Sequence, residues 1–424
     1  MMPILLVLVA QAAAPRVVTL HEAERLATER QPQLRAARAG TQAATARADE
    51  ARSGLLPQVS GTAGYQRSTA NLIPRPGSFN ATTSNTLNTY NFYSTNVSLS
   101  QLLWDFGQTT DRWRAAKAGA EATADQERST AQLIVLQVRS AFFTARADKE
   151  LVVVARDNLA NQRKHLEQIQ GFVEAGTRPS IDLSAARAAT ANAEVQLTTS
   201  ENAYVTSKVL LNQAMGVEGP IDYEVSDEAL PPVPEEGADP GILLQDALGA
   251  RPDVAALQQQ VRVQQLTLAS IRGAYWPSLG ASAGFTQGGT RLDDLGWNLS
   301  AGVTLTWQIF QGGLTNAQVR ESEANIAAAV AQLDAIRQQV HVDVEQARLA
   351  IRAGKATLVS AQQALASARD VLAQAEARYQ NGAGSIIELG DAQVAAASAG
   401  AQVVQADFQL ATARAQLLRA LGRP

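Results

Sequence analysis

Few side chains in this sequence have the types and spacing that chemistry needs, and the most suggestive are two acids. Glu388 and Asp391 stand three positions apart in a run of helix formers, so both project from one helix face. If copies of the chain met around an axis, each acid would form a carboxylate ring. Like charges held close raise one another's pKa, draw cations and repel anions. The other reading of the same pair is local: acids near a helix start complement its dipole. The rest of the inventory is sparse. The three histidines, His21, His165 and His341, are far apart and in no metal-ligand spacing, and cysteine is absent. The chain carries no glycine-rich phosphate loop and no nucleophile elbow. The reading is a non-enzyme with no cofactor and no metal. A net charge of −4 offers no basic field for nucleic acid.

The elements that must position these acids come in an unusual order. Trp297, Leu299, Ala301, Val303, Leu305 and Trp307 alternate with Asn298, Ser300, Gly302, Thr304 and Thr306, the period of a strand with one oily and one wet face. At ~3.3 Å per residue such a strand is long enough to cross hydrocarbon at a tilt, with an indole near each end. Trp297 and Trp307 read as membrane-interface aromatics in contact with lipid. After Gly312-Gly313 the pattern becomes Ala, Gln, Glu, Arg and Leu without proline as far as Tyr379. That predicts a helix of about 66 residues, roughly 100 Å at 1.5 Å per residue. No apolar run reaches the length of a membrane helix, so any crossing is by strands.

This unit occurs twice. Pro32 and Pro252, and Pro57 and Pro277, are each 220 positions apart; Trp104 and Phe310, Gly176 and Gly382, and Gly216 and Gly422 are each 206 apart. The 14-residue difference falls in a polar stretch around Pro74 to Asn88, expected to be a longer loop. The first copy (19–216) is expected to hold strands at about 57–68 and 90–103, a long helix at about 109–173 and a return helix at 179–215. The second copy (241–422) has strands at about 277–288 and 296–308, a long helix at about 314–380 and a return helix at 385–421. Residues 217–240, rich in Pro and Glu, read as an irregular connector. Residues 1–14, apolar and then Ala-rich, read as a signal peptide. Apolar stripes such as Leu133, Leu136, Phe143, Leu151 and Val154, or Val330, Leu333, Ile336, Val340 and Val344, predict coiled-coil contacts.

Four strands cannot close a barrel in lipid, where open edges are not tolerated. Two copies would give a barrel too narrow for a channel, and three would leave a lumen. The chain is expected to be a homotrimer.

The tandem copies, the junctions Leu103-Trp104-Asp105-Phe106-Gly107 and Ile309-Phe310-Gln311-Gly312-Gly313, and the turn Arg378-Tyr379-x-x-Gly382 followed by Glu388, Leu389 and Asp391 resemble the TolC-type outer-membrane efflux channel family. The resemblance covers almost the whole chain. It implies a mixed α and β membrane protein: a trimeric twelve-stranded outer-membrane β-barrel, four strands per chain, continued by a periplasmic α-helical coiled-coil barrel. It implies that Glu388 and Asp391 ring the constriction and that Tyr379 bonds Asp182 to latch the closed state. The family's arginine two residues beyond the turn glycine is absent, because that position is Gly384; Arg178, at the equivalent place in the first copy, is the candidate substitute. Turn residues Gly176, Thr177, Asn381 and Gly382 would meet a periplasmic adaptor. That adaptor links the channel to an inner-membrane transporter of the resistance-nodulation-division or ABC type. The implied function is a passive duct for efflux. Type I protein secretion or a non-conducting periplasmic scaffold are the alternatives.

Overall fold

The computed structural model describes residues 16–69 and 87–423. The expected signal segment, 1–14, and the expected loop as far as residue 86 lie outside the described residues. The chain divides into two compact units, and each draws on both copies. One comprises Met1–Ala39, Asp125–Val254 and Asp334–Pro424; the other comprises Gly40–Ala124 and Ala255–Leu333.

The second of these units holds a four-stranded antiparallel sheet of β2 (Gln58–Thr69), β3 (Thr89–Trp104), β5 (Ser278–Arg291) and β6 (Asp294–Thr306), in the order β2-β3-β5-β6. The alternation that predicts the strands is carried across the whole sheet by the register. Ser60, Ser98, Gly284 and Ser300 form one row, and Thr62, Asn96, Thr286 and Asn298 the next on the same face. The intervening rows, Val59-Leu99-Ala283-Ala301 and Gly61-Val97-Phe285-Leu299, are apolar. That oily face is open: Val59 is 70% exposed, Leu299 67% and Val303 65%. Within the described residues one long edge of β2 and one of β6 have no strand partner.

Strand β6 ends at Thr306, short of the expected 308. Trp307 leaves the ladder, and its indole Nε1 donates to the Tyr275 carbonyl at 3.1 Å. Beyond each outgoing strand the backbone turns through two consecutive left-handed residues, Phe106 and Gly107 in the first copy and Gly312 and Gly313 in the second. Phe106, at φ 52°, occupies that region without a glycine's freedom, at a cost of about 1 kcal/mol. The Asp105 carboxylate accepts from the Thr109 amide at 2.7 Å and starts the helix that follows. That helix, α3 (Gln108–Glu174), and its counterpart α7 (Leu314–Gln380) are 67 residues each. In this unit Ala115 and Ala118 of α3 pack on Leu266 of α6 (Pro252–Gly273), where small side chains permit close approach.

The first unit contains α1 (Leu20–Arg30), α4 (Ser180–Met215), α5 (Pro240–Ala250) and α8 (Ile386–Ala420), together with parts of α2 (Pro32–Ser53), α3, α6 and α7. Its core holds Ile134, Val138, Leu211, Met215 and the edge-to-face pair Phe142 and Phe143. Of the expected coiled-coil stripes, Phe143, Val340 and Val344 are buried, whereas Leu133 is exposed. Gly216, at φ 66°, ends α4 so close to the Gln31-Pro32 boundary that a Cβ would lie 2.7 Å from the Gln31 Cα. Gly422 meets Ala250 in the same way, at 2.8 Å, in the second copy. The repeated glycines and prolines are thus the two sides of one contact.

The segment 217–240 is more ordered than its composition predicts. Within it β4 (Tyr223–Val225) pairs in parallel with β1 (Arg16–Val18), and Pro234–Gly237 forms a 3-10 turn. Tyr223 Oη donates to the Lys208 carbonyl at 3.0 Å, and the Glu236 carboxylate receives Arg414 Nε at 2.8 Å. Three-residue strands give no periodic signal, and prolines between them read as loop.

Candidate functional site at the helix turns

The α3–α4 and α7–α8 turns lie together at one end of the first unit. Each closes with paired backbone bonds: Thr177 N to the Phe172 carbonyl at 2.9 Å, and Ala383 N to the Arg378 carbonyl at 2.9 Å. Ser385 caps α8 by accepting from the Glu388 amide at 3.1 Å. Beneath the turns a small core of Ile169, Ala186, Ala375, Leu389 and Ala392 surrounds Tyr379, which is 2% exposed.

Sequence reasoning expects Tyr379, Asp182 and Arg178 to meet, and the structure brings all three together. Tyr379 Oη donates to Asp182 Oδ2 at 3.4 Å, a long bond, and Phe172 lies edge-on to the ring at 6.4 Å. The Arg178 guanidinium stacks over that ring, 4.5 Å from its centroid. From there Nη2 donates to the Tyr379 carbonyl at 3.1 Å and to the Gly384 carbonyl at 3.4 Å. A Cβ at Gly384 would lie 3.0 Å from the Tyr379 amide nitrogen, so the position lacking the family's arginine is also crowded. Burial, reinforced by the Asp182 charge and opposed by Arg178, pushes the Tyr379 hydroxyl above its ordinary pKa. The hydroxyl therefore stays protonated and able to donate.

The two acids sit differently from each other. Glu388 pairs with Arg378 Nη1 at 3.0 Å in its own chain, while Asp391 is exposed and has no ion pair among the described residues. Gly176, Thr177, Asn381 and Gly382 are exposed in the turns, where Asn381 Nδ2 donates to the Ala377 carbonyl at 2.8 Å. Trp297, 70% exposed, belongs to the sheet and stacks on Phe285 with centroids 6.4 Å apart. Three further arrangements are not foreseen from the sequence, although it names His165 and the Trp104 and Phe106 junction. Ile181 and Ile387, 72% and 71% exposed, occupy equivalent places in the two turns. His165 Nε2 contacts Glu376 Oε1 at 3.2 Å. Trp104, Phe106 and Trp276 form an exposed aromatic cluster at the strand ends. The offset of 206 could have flagged the isoleucines. No group of three His, Cys, Asp or Glu able to hold a metal occurs among the described residues.

A sheet with an exposed oily face, joined in each repeat to a 67-residue helix, defines a strand-and-helix architecture suited to a membrane surface. The family model described as "Outer membrane efflux protein" matches residues 25–217 and 243–423, and the chain belongs to that family. It is a TolC-type channel component and not an enzyme, located in the Gram-negative outer membrane and extending into the periplasm. The chain is 24% identical to the outer membrane efflux protein BepC of Brucella suis over 395 residues, 92% of this chain and 82% of BepC. To the outer membrane protein TolC of Vibrio cholerae it is 25% identical over 411 residues, 93% of this chain and 89% of TolC. Its fold matches the crystal structure of the outer membrane protein VceC of Vibrio cholerae with a TM-score of 0.84 at 19% identity, over 95% of this chain and 96% of VceC.

Proposed function

We propose that three copies of this chain form the exit duct of a tripartite efflux system. The observation that carries the reading is the sheet: four antiparallel strands with an exposed apolar face, an uncharged polar face, and a free edge on β2 and on β6. Along the order β2-β3-β5-β6 the direction alternates, so β6 of one copy can pair antiparallel with β2 of the next. Three such sheets close a twelve-stranded barrel with its oily face in outer-membrane lipid and its polar face around a lumen.

In this reading Tyr379, Asp182 and Arg178 hold the periplasmic end closed, and Glu388 and Asp391 ring the constriction. Gly176, Thr177, Asn381 and Gly382, with the exposed Ile181 and Ile387, receive an adaptor that couples the duct to an inner-membrane pump. The efflux name of BepC supports the efflux reading over protein secretion.

The test is single-channel recording of the purified protein in planar bilayers. Discrete conductance steps that rise in Tyr379→Phe with Asp182→Ala support the duct and its latch. A silent bilayer for wild type and variant alike would sink the conducting reading and leave a scaffold. Photo-crosslinking in cells from a probe at Asn381 tests the partner: capture of a resistance-nodulation-division adaptor supports efflux, and capture of an ABC-exporter adaptor supports secretion.

A further inference from the structure

We propose that the pocket at the first strand-to-helix junction binds the headgroup of a zwitterionic phospholipid, with its phosphate on Arg114 and its ammonium on Asp111 and the Trp104 ring. The inference rests on the reading that the oily sheet face lies in lipid. The pocket measures about 320 Å³, and its lining includes Leu55, Leu103, Trp104, Gly107, Asp111 and Arg114.

The oily face runs into this pocket. The β3–β5 register slips between Leu102 and Trp104, a bulge that sets Trp104 opposite Leu279, which is itself opposite Leu305. The apolar row therefore ends in an indole, and two more rings extend it. Phe106 lies edge-on to Trp104 at 6.0 Å and stacks on Trp276 at 5.4 Å, and all three stay exposed. Exposed rings at the end of a lipid-facing strand mark the level of the headgroups. Phe106 holds its place under strain: the equivalent residue of the second copy is Gly312, and both have left-handed backbones. A strained residue kept where glycine would serve points to a use for its ring.

The charges name the headgroup. On α3, Asp111 Oδ1 accepts from Arg114 Nη1 at 3.0 Å. Asp111 Oδ2 has no hydrogen-bond partner among the described residues, and a Cβ on Gly107 would lie 3.2 Å from it. The missing side chain leaves that oxygen open to an ammonium, for which the Trp104 indole is a cation–π partner. Arg114 is exposed and has donors left for a phosphate. A zwitterion laid antiparallel along this ion pair adds no net charge, whereas a purely anionic headgroup would meet Asp111 and a lone amine would meet Arg114. At the second junction, 206 positions on, Arg320 matches Arg114 but Ala317 replaces Asp111. The ammonium acceptor therefore belongs to the first copy, one per chain.

The test is native mass spectrometry of the intact purified protein, released from detergent containing one of three probes. These are phosphatidylethanolamine, phosphatidylglycerol, which lacks the ammonium, and glycerophosphoethanolamine, which lacks the acyl chains. Phosphatidylethanolamine is expected to bind at least roughly tenfold tighter than either of the others. Asp111→Asn should abolish the preference between the two lipids, and Arg114→Gln should weaken both by roughly tenfold. Phe106→Gly should weaken both while the thermal unfolding midpoint holds or rises, which separates lost lipid contact from lost fold. Arg320→Gln in the second copy should change nothing. Equal binding of the two lipids by the wild type, or a preference that survives Asp111→Asn, overturns the proposal. Equal binding of glycerophosphoethanolamine also overturns it, leaving a site for free phosphate esters. The bilayer recordings test the duct separately, so failure here is told apart from failure of that reading.

Discussion

Arg178 and Gly384 occupy the same place in the two copies, 206 positions apart, and the arginine of the first donates to the carbonyl of the second at 3.4 Å. The two equivalent turns are thus complementary rather than alike. One supplies the cation, and the other supplies the bare backbone it reaches.

That contact predicts non-additive gating. Arg178→Ala and Tyr379→Phe should each raise open probability in bilayers, and the double variant should open little more than either alone, because both changes disrupt one stacked, hydrogen-bonded unit. Arg178→Lys should behave nearly as the alanine variant, since an ammonium cannot stack and fork in the same way. Fully additive effects would show that the two residues act separately.

The pH dependence of closure follows from the raised Tyr379 pKa. A group whose folded pKa exceeds its unfolded value contributes stability below the unfolded value, near 10 for tyrosine, and loses it as pH rises through the folded value. Closure due to Tyr379 should therefore be flat from neutral pH to about 10 and fail only in stronger alkali. Conductance recorded against pH checks this; a Tyr379-dependent transition near neutrality would contradict it.

The two acids should contribute unequally to ion selectivity. Glu388 is paired with Arg378 at 3.0 Å, while Asp391 has no ion pair among the described residues. Asp391→Ala should shift the reversal potential in a salt gradient toward anions more than Glu388→Ala does. Arg378→Ala should make the channel more cation-selective by freeing Glu388. Equal, negligible shifts would reduce both acids to complements of the α8 dipole.

Stability should be sensitive to Gly216 and Gly422. An added Cβ would come within 2.7 Å of the Gln31 Cα in one copy and 2.8 Å of Ala250 in the other. Each position also has a left-handed backbone. Gly216→Ala or Gly422→Ala should cost about 2–4 kcal/mol, combining backbone strain and overpacking. Denaturant unfolding of the purified protein would measure it; a change below about 0.5 kcal/mol, the usual range at unremarkable surface sites, would mean the contact yields freely.

Much of this fold is legible in the sequence because its signals are long. The alternation from Trp297 to Trp307 marks a strand, and the proline-free run to Tyr379 marks a helix whose period no short accident could imitate. The Tyr379 and Asp182 contact is legible through the family resemblance. The parallel pair of β1 and β4 is not, since each strand has three residues and the two lie some 200 positions apart. Nor is the Gln162 and Gln393 contact: glutamine on an alanine-rich helix looks like solvated surface until packing buries it. The pairing of Glu388 with Arg378 depends on a turn geometry that residue types alone leave open.

The wet face of the sheet has a consequence for traffic. Gln58, Ser100, Ser282 and Gly302 make one row, and the Ser60 and Thr62 rows, with Gly64, Ser94, Gly288 and Gly296, continue it without a single charge. Hydroxyls, amides and glycines make up these rows, and the exposed ring of Phe92 lies over Gly288 at their end. In the proposed duct such an uncharged wall would give an ionic solute no fixed counter-charge to hold it, and charge selection would fall to the acids at the far end, Glu388 and Asp391.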